Sequence, residues 1–431
     1  MWLKLAMPGW QREKGEREVA VELNRVGRET VLATLRLTQS LLERHGPRIA
    51  GTRQCLNAAD QIAEMLRVHC DKVVEERFEM HPGSFWNVGK IMAVAYLISV
   101  LLLFAGEFFT FVSVAVAVAG LVYGVVIYVF NGRWFDRFFP KADGCNVYGT
   151  IEPAGEVKQQ IILSGHHDSP YVLSFLLNWK RLARMRLILA VLTYFVLLGV
   201  SIVAAIETAL GAPDAVPVEM IAVVAVLGLF FVGPLYSVIT RLQSPGAGDN
   251  LNATAMAITA AVHFSLKRKK GTALKHTRII ILSTDGEEVG MRGASDYAEK
   301  HKADLLAVPT FVFNMDSIYA TKDLTLLTRD RNGTCKLSER MARECHEIAA
   351  DLGYFPNIMP IPPGGGGTDA AAFAKIGIES TSVIGISVHG LGNETVYHTP
   401  QDTVEHIEPE AVEAVLDIAI NYITRKDEEG E

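Results

Sequence analysis

The sequence predicts an α/β layered fold with a mostly parallel central sheet, carried together with four transmembrane helices. Three observations predict it. Short apolar stretches rich in Ile, Val and Phe alternate with helix-length stretches, the pattern of strand–helix units that build parallel sheets. Several strand-like stretches end in acids or histidines, as in Ile161-Ile162-Leu163-Ser164-Gly165-His166-His167-Asp168, and ligands in such sheets bind beyond the carboxyl ends of the strands. Four apolar runs almost free of charge interrupt this pattern, and a span needs ~20 such residues.

The 431-residue chain is 49% hydrophobic, high for a soluble enzyme, and its formal net charge of −7 leaves no basic field to attract nucleic acid. Its five cysteines (Cys55, Cys70, Cys145, Cys335, Cys345) are odd in number, widely spaced and without a CxxC pair. That argues against a disulfide framework and for a reducing compartment. Each cysteine reads as a small buried hydrophobe. Met1–Pro8 lacks a continuous apolar core, so a secretory signal peptide is not expected.

In chain order, residues 15–70 read as helical. Val19, Val21, Leu23, Val26, Val31, Leu32, Leu35 and Leu41 form an apolar stripe, broken at Arg48–Thr52 and resumed over Ala58–Val68. Val73–Met80 alternates as a strand. Ile91–Ala105 and Phe108–Phe130 form a tight apolar hairpin broken only by Gly106 and Glu107; its first arm reaches full length only by starting near Trp86 with Lys90 snorkelling. Asn146–Glu152 and Gln160–Ser164 read as strands, and Val172–Arg186 as an amphipathic stretch carrying Lys180, Arg181, Arg184 and Arg186. Leu187–Ile206 and Ile221–Thr240 form a second apolar hairpin. The hairpin loops carry Glu107 and Glu207, Asp214, Glu219, whereas the flanks carry Lys90, Arg133, Arg137, Lys141, the 180–186 cluster and Arg241. The positive-inside bias then puts the flanks, and the polar remainder of the chain, on the cytoplasmic side of the cell membrane.

Beyond Ser244 the expected elements are a helix over Asn252–Leu266, a strand over Arg278–Leu282, a helix over Arg292–Asp304 and strands over Pro309–Met315 and Asp323–Thr328. A helix over Lys336–Leu352, a Pro/Gly loop over Pro360–Gly367, a short helix over Ala370–Lys375, a strand over Ser382–Ile386 and a closing helix over Glu408–Ile423 follow. The organisation implied is an N-terminal helical part (1–85), hairpin one (86–130), a catalytic segment carrying the first ligand (131–186), hairpin two (187–240) and the remaining catalytic domain (241–431).

The chemistry sits at the strand exits. His166 and Asp168, two apart on a strand, share a face and suit a metal ligand with its orienting carboxylate; His167 faces the other way and is expected to be structural. Asp249 sits in Gly246-Ala247-Gly248-Asp249-Asn250, Glu287-Glu288 directly follows the Ile-rich strand, Asp316 ends the next strand, and His398 lies in a late loop. Singly these read as a helix N-cap, a solvated pair and a surface histidine. Jointly, two histidines and three carboxylates make a mixed N/O set suited to Zn²⁺, with Mn²⁺ or Co²⁺ also suitable. Five ligands exceed one tetrahedral ion and fit two ions ~3.5–4 Å apart sharing a bridging carboxylate. The spare glutamate of the pair suits a general base.

The series His166-x-Asp168, Gly-Ala-Gly-Asp249-Asn, Glu287-Glu288-Val-Gly-Met-Arg-Gly, Asn-Met-Asp316 and Tyr-His398-Thr-Pro-Gln-Asp402-Thr resembles the M28 zinc aminopeptidases in order and approximate spacing. Arg48-Ile49-Ala50-Gly51-Thr52 and the Ala58–Leu66 helix are similar to that family's N-terminal region. The resemblance covers roughly residues 40–80, 143–170 and 244–425. It implies a three-layer α/β/α zinc-peptidase (phosphorylase/hydrolase-like) fold, a peptide substrate and two Zn²⁺ per chain. By this resemblance His166 and Asp316 hold one zinc, Glu288 and His398 the other, and Asp249 bridges them. Asp168 orients His166, with a cis peptide bond after it, and Glu287 is the general base. The chain departs from the family at Leu251-Asn252-Ala253-Thr254, where a Ser-Gly pair is usual. It departs again at Ala370, which stands in place of a histidine in a Ser-Asp-His-x-x-Phe pattern. Both departures bear on substrate recognition rather than on metal binding. A non-catalytic receptor or scaffold relative is the alternative that would have lost ligands; a glutaminyl-cyclase-like transferase shares the fold with one zinc. A transporter would want polar residues in its spans, and these spans have few, Thr110, Ser113, Thr193, Ser201 and Ser237 among them.

Overall fold

The computed structural model describes residues 23–178, 182–212, 216–387 and 395–430. Val19, Val21, Lys180, Arg181, Asp214 and the reading of the first residues therefore lie outside the described residues. The chain begins with α1 (Arg28–His45) and α2 (Arg53–Arg67), the latter capped by the Thr52 side chain accepting from the Cys55 amide. Strand β1 (Lys72–Met80) follows, then apolar helices α3 (Val88–Phe104) and α4 (Phe109–Gly124), then β2 (Ala142–Ile151) and β3 (Gln159–His166). After apolar helices α5 (Ala183–Leu210) and α6 (Val218–Phe231) come α7 (Asn252–Lys269), β4 (Thr277–Thr284), α8 (Arg292–Lys300) and β5 (Thr310–Ile318). The chain closes with β6 (Thr325–Leu327), α9 (Glu339–Asp351), β7 (Asn357–Met359), α10 (Ala370–Lys375), β8 (Glu379–Gly385) and α11 (Pro409–Glu429).

These eight strands form one sheet in the order β1-β2-β4-β3-β5-β8-β6-β7. Its centre is parallel: β3 pairs with β4 and β5, and β5 with β8. The antiparallel joins lie outside that centre, at β1–β2, β2–β4 and β8–β6. Alternation sorts the central side chains onto two faces. Ile161, Leu163, Ile279, Ile281 and Phe313 pack in one core with residues of α1, α2, α7, α9 and α11. Ile162, Ile280, Leu282 and Val312 pack in another with Tyr297 of α8 and Phe373 of α10. The result is three layers, α/β/α. Every residue of β3 is buried, which is why its centre, Ile161-Ile162-Leu163, is apolar on both faces rather than alternating.

The apolar segments lie apart from this body. Among the described residues, three are long and apolar enough to cross a membrane: Phe109–Val129, Met185–Leu210 and Val218–Ser237. The expected fourth is shorter, because Pro82–Trp86 is a separate short helix and α3 starts only at Val88 and spans 17 residues. The four helices pack into one bundle rather than two separate hairpins. Few polar side chains are present, and they join helices: Ser113 Oγ lies 3.0 Å from Ser201 Oγ, Thr110 Oγ1 lies 3.3 Å from Thr208 Oγ1, and Tyr96 donates to the Val224 carbonyl at 2.7 Å. The outer face is apolar, with Leu101, Phe111, Leu229 and Phe230 exposed.

The amphipathic 172–186 stretch is divided between elements: Tyr171–Leu173 is a strand paired antiparallel with Ile239–Gln243, and Arg186 belongs to α5. The second hairpin thus ends at Ser237, since the backbone of 239–243 is committed to that pair. The Arg292–Asp304 stretch divides into α8 and a second helix, Lys302–Ala307. All five cysteines are free.

Candidate metal centre

The parallel centre of the sheet brings the strand ends together. His166 is the last residue of β3, Asp316 lies near the end of β5, and Glu287 and Glu288 form a 3-10 turn just after β4. That turn is entered through Gly286 at φ +71°, a conformation that side chains resist. Asp249 sits in the irregular Ala247–Leu251 turn before α7. The one cis peptide bond among the described residues joins Asp249 to Asn250; the bond after Asp168, where the resemblance implied one, is trans. His398 stands in the late loop at φ +53°, stacked on Tyr397 with ring centroids 4.0 Å apart.

The expected residues converge. Ligand atoms of His166, Asp249 and Asp316 lie within 4.8 Å of one another, and so do those of Asp249, Glu288 and His398. Asp249 is common to both groups. One of its oxygens faces His166 Nε2 at 3.3 Å and the other faces His398 Nε2 at 3.0 Å; His398 Nε2 is also 3.3 Å from Glu288 Oε2. Yet His166 Nε2, His398 Nε2, Asp249 Oδ2 and Glu288 Oε1 are buried without a hydrogen-bond partner. Lone pairs that converge without bonding one another are what a cation site requires. Four carboxylates (Asp249, Glu287, Glu288, Asp316) also match the charge of two divalent ions. The residues present fit a dinuclear N/O centre.

The electrostatics point the same way. Burial first, and then neighbouring carboxylates, pushes Glu287 and Glu288 well above the usual carboxylate range, although His166 opposes it at both. Burial pushes Asp316 up to about 8, opposed by His166 and reinforced by Asp249. Burial would raise Asp249 too, but the facing imidazoles of His166 and His398 hold it below its ordinary value.

The surrounding residues fix this set. His166 Nδ1 lies 3.1 Å from the Asp168 carbonyl and 3.3 Å from its carboxylate. The same carboxylate accepts from the backbone amides of Glu287 at 3.2 Å and Glu288 at 3.1 Å. Arg48, fully buried, donates to the carbonyls of His167, Gly46, Pro245 and Gly246, tying the β3 exit to the Asp249 loop.

Asp402, quoted within its motif, and Asp369, the residue before Ala370, have no role assigned from the sequence. Asp402 accepts from the amides of Gly248 at 2.8 Å and Asp249 at 3.3 Å. Asp369 is buried and accepts from Thr284 Oγ1. Asn250 donates to the Met315 carbonyl at 2.9 Å and accepts from the Ser317 amide at 3.2 Å, fastening the Asp249 loop to β5. Only their place beside site residues could have flagged them.

Residues 231–423 match peptidase family M28. The chain resembles the M28 zinc peptidases. Aminopeptidase YwaD of Bacillus subtilis (strain 168) is 26% identical over 177 residues, 41% of this chain. The match spans 36% of that protein, about a third of its length. Among solved structures, the zinc aminopeptidase BSAP of Bacillus subtilis superposes with a TM-score of 0.54 at 14% identity, over 94% of this chain and 96% of that one. A glutaminyl cyclase of Bacteroides thetaiotaomicron bound to N-acetylhistamine gives 0.53 at 12% identity, over 93% and 99%. A Zn-dependent exopeptidase of Parabacteroides distasonis ATCC 8503 gives 0.52 at 14%, again over 93% and 99%. At these identities the structures establish the fold. The family match identifies residues 231–423 as similar to a peptidase domain.

Proposed function

We propose that this protein is a membrane-anchored dinuclear zinc aminopeptidase. The observation that carries the reading is Asp249, which belongs to two ligand groups at once. His166 and Asp316 would hold one ion, Glu288 and His398 the other, and Asp249 both. Bound there, zinc supplies a lowered pKa for the attacking water and polarisation of the scissile carbonyl. Glu287 is the general base: its carboxylate lies 3.9 Å from His166 Nε2 at the edge of the ligand set, takes the proton of the attacking water and returns it to the leaving amine. Asp168 holds the backbone of Glu287 and Glu288 and faces His166, so one carboxylate positions base and ligands together.

The apolar helices anchor the enzyme, with the catalytic body on the cytoplasmic side of the cell membrane. The end of the first hairpin docks beside the site: Arg292, four residues after Glu288, donates to the carbonyls of Asn131 and Gly132 at 3.3 Å. That neighbourhood favours hydrophobic or membrane-derived peptides as substrates. The second ligand group distinguishes this reading from a cyclase that works with one zinc.

A panel of aminoacyl amides and N-blocked peptides tests the proposal. Hydrolysis of the free-amine compounds and refusal of the blocked ones is expected. Cleavage of blocked peptides alone, or cyclisation of N-terminal glutamine, overturns it. A C-terminal tag reached from outside intact cells would contradict the cytoplasmic placement.

A further inference from the structure

A second cluster of ligand atoms lies behind the site, on the face of β3 that His166 does not use. Cys55 of α2, His167 just beyond β3 and Asp285 just beyond β4 bring a sulfur, an imidazole nitrogen and a carboxylate oxygen within 4.8 Å of one another. Cys55 and Asp285 are fully buried, as is His167. We propose that these three residues bind a third, structural metal ion of the Zn²⁺ class.

The donor chemistry fits such an ion. Cys55 Sγ lies 3.3 Å from Asp285 Oδ1, and a tetrahedral zinc sets sulfur and oxygen ligands about 3.5 Å apart. His167 Nδ1 lies 2.9 Å from Ser283 Oγ. With the ring proton on that nitrogen, Nε2 carries a lone pair, the arrangement metal-ligating histidines use. His167 Nε2 is buried and has no hydrogen-bond partner. A thiol donating to Asp285 would satisfy the sulfur and the acid but leave that buried nitrogen stranded without a partner. An ion engages all three. A thiolate and a carboxylate also cancel a divalent charge, so the buried site is neutral as a whole. Asp285 keeps its other oxygen on the Cys145 amide at 3.1 Å, which aims the carboxylate at the cluster.

Its position gives the ion a purpose. It ties α2 to the exits of β3 and β4, one residue from His166 and two from Glu287. The two strand ends that deliver the first ligand and the general base are thereby locked in register from behind. This site does not depend on the dinuclear reading, since its ligands are separate and it alone contains sulfur.

Loading the purified full-length protein in detergent with Co²⁺ tests the proposal, because only a thiolate ligand gives a cobalt–sulfur charge-transfer band in the near ultraviolet. The wild type should show that band. The C55S variant should lose the band together with one cobalt per chain and melt at lower temperature, and D285N should weaken it. Absence of the band in the folded wild type, or its persistence in C55S, overturns the proposal. If instead the dinuclear reading is the one at fault, the band stays and the sulfur-free cobalt falls short of two per chain.

Discussion

Replacing Gly248 by alanine puts a methyl group where the Tyr319 ring already stands. A Cβ at this position would lie 2.5 Å from Cζ and 2.7 Å from Cδ1 of Tyr319, and closer still to Cε1. Unstrained carbon contacts begin near ~3.5 Å, so ring or loop must move by about 1 Å. The ring has little freedom, being 7% exposed. The loop therefore gives way, and with it the amides of Gly248 and Asp249 that Asp402 holds. Overpacking of this kind costs about 1–3 kcal/mol, and a hydrogen bond to a charged group is worth about 1.5–3 kcal/mol more. The larger consequence is chemical. Asp249 follows directly, and a displacement of ~1 Å at a reacting centre costs about 10²-fold in rate. G248A should thus fold with a lowered melting temperature, bind metal more weakly and hydrolyse substrate about a hundredfold more slowly. Wild-type rate and metal affinity in a folded G248A protein would refute the argument that this loop is held in one place by Tyr319 and Asp402.

Other outcomes follow from the same structure. His263 in α7 is half-buried, and burial, aided by Lys267 and Lys270, lowers its pKa to about 4 from the ordinary 6.5. Its neutral form therefore contributes stability that is full above pH ~6.5 and is lost as pH falls towards 4. At about 1.4 kcal/mol per pH unit, discounted for solvent screening, the wild type should lose about 2 kcal/mol more than H263Q between pH 7 and 4.5, read from paired melts. Asp427 accepts from the amides of Lys275, His276 and Thr277 at the start of β4, at 2.7, 2.8 and 2.8 Å. D427A strands those donors and should cost about 2–4 kcal/mol in denaturant titration. In the bundle, a Cβ on Gly228 would stand 2.6 Å from Tyr96 Cζ; G228V should separate α6 from α3, seen as faster proteolysis in detergent, while the isolated metal count stays unchanged.

Much of the site was legible because a parallel sheet turns sequence position into spatial position. A polar residue at the end of an apolar run must emerge at the same edge as every other strand exit, so His166, Glu287-Glu288 and Asp316 could be placed together before any coordinate. Asp249 and His398 come from loops, where no periodicity fixes direction; they joined the ligand set only in company with the strand-exit residues, and the family resemblance gave each its role. The membrane segments were legible from absence of charge, but not their ends. Ile239 and Thr240 continue the charge-free run in composition and leave it in structure, because the partner of their strand, Tyr171–Leu173, lies more than sixty residues earlier. Asp402 and Cys55 were opaque for a different reason. An acid that serves backbone amides and a single cysteine in a helix carry no local pattern, and their work is visible only when the neighbours from distant strands are in place.

The proposed catalysis rests on Glu287 as the base beside an intact ligand set. Metal content and hydrolysis of E287Q, measured on the same preparation, test it most directly. E287Q is expected to bind metal as the wild type does, with the rate lowered about 10²–10⁴-fold. Full activity in E287Q, or loss of rate explained by loss of metal, would contradict it.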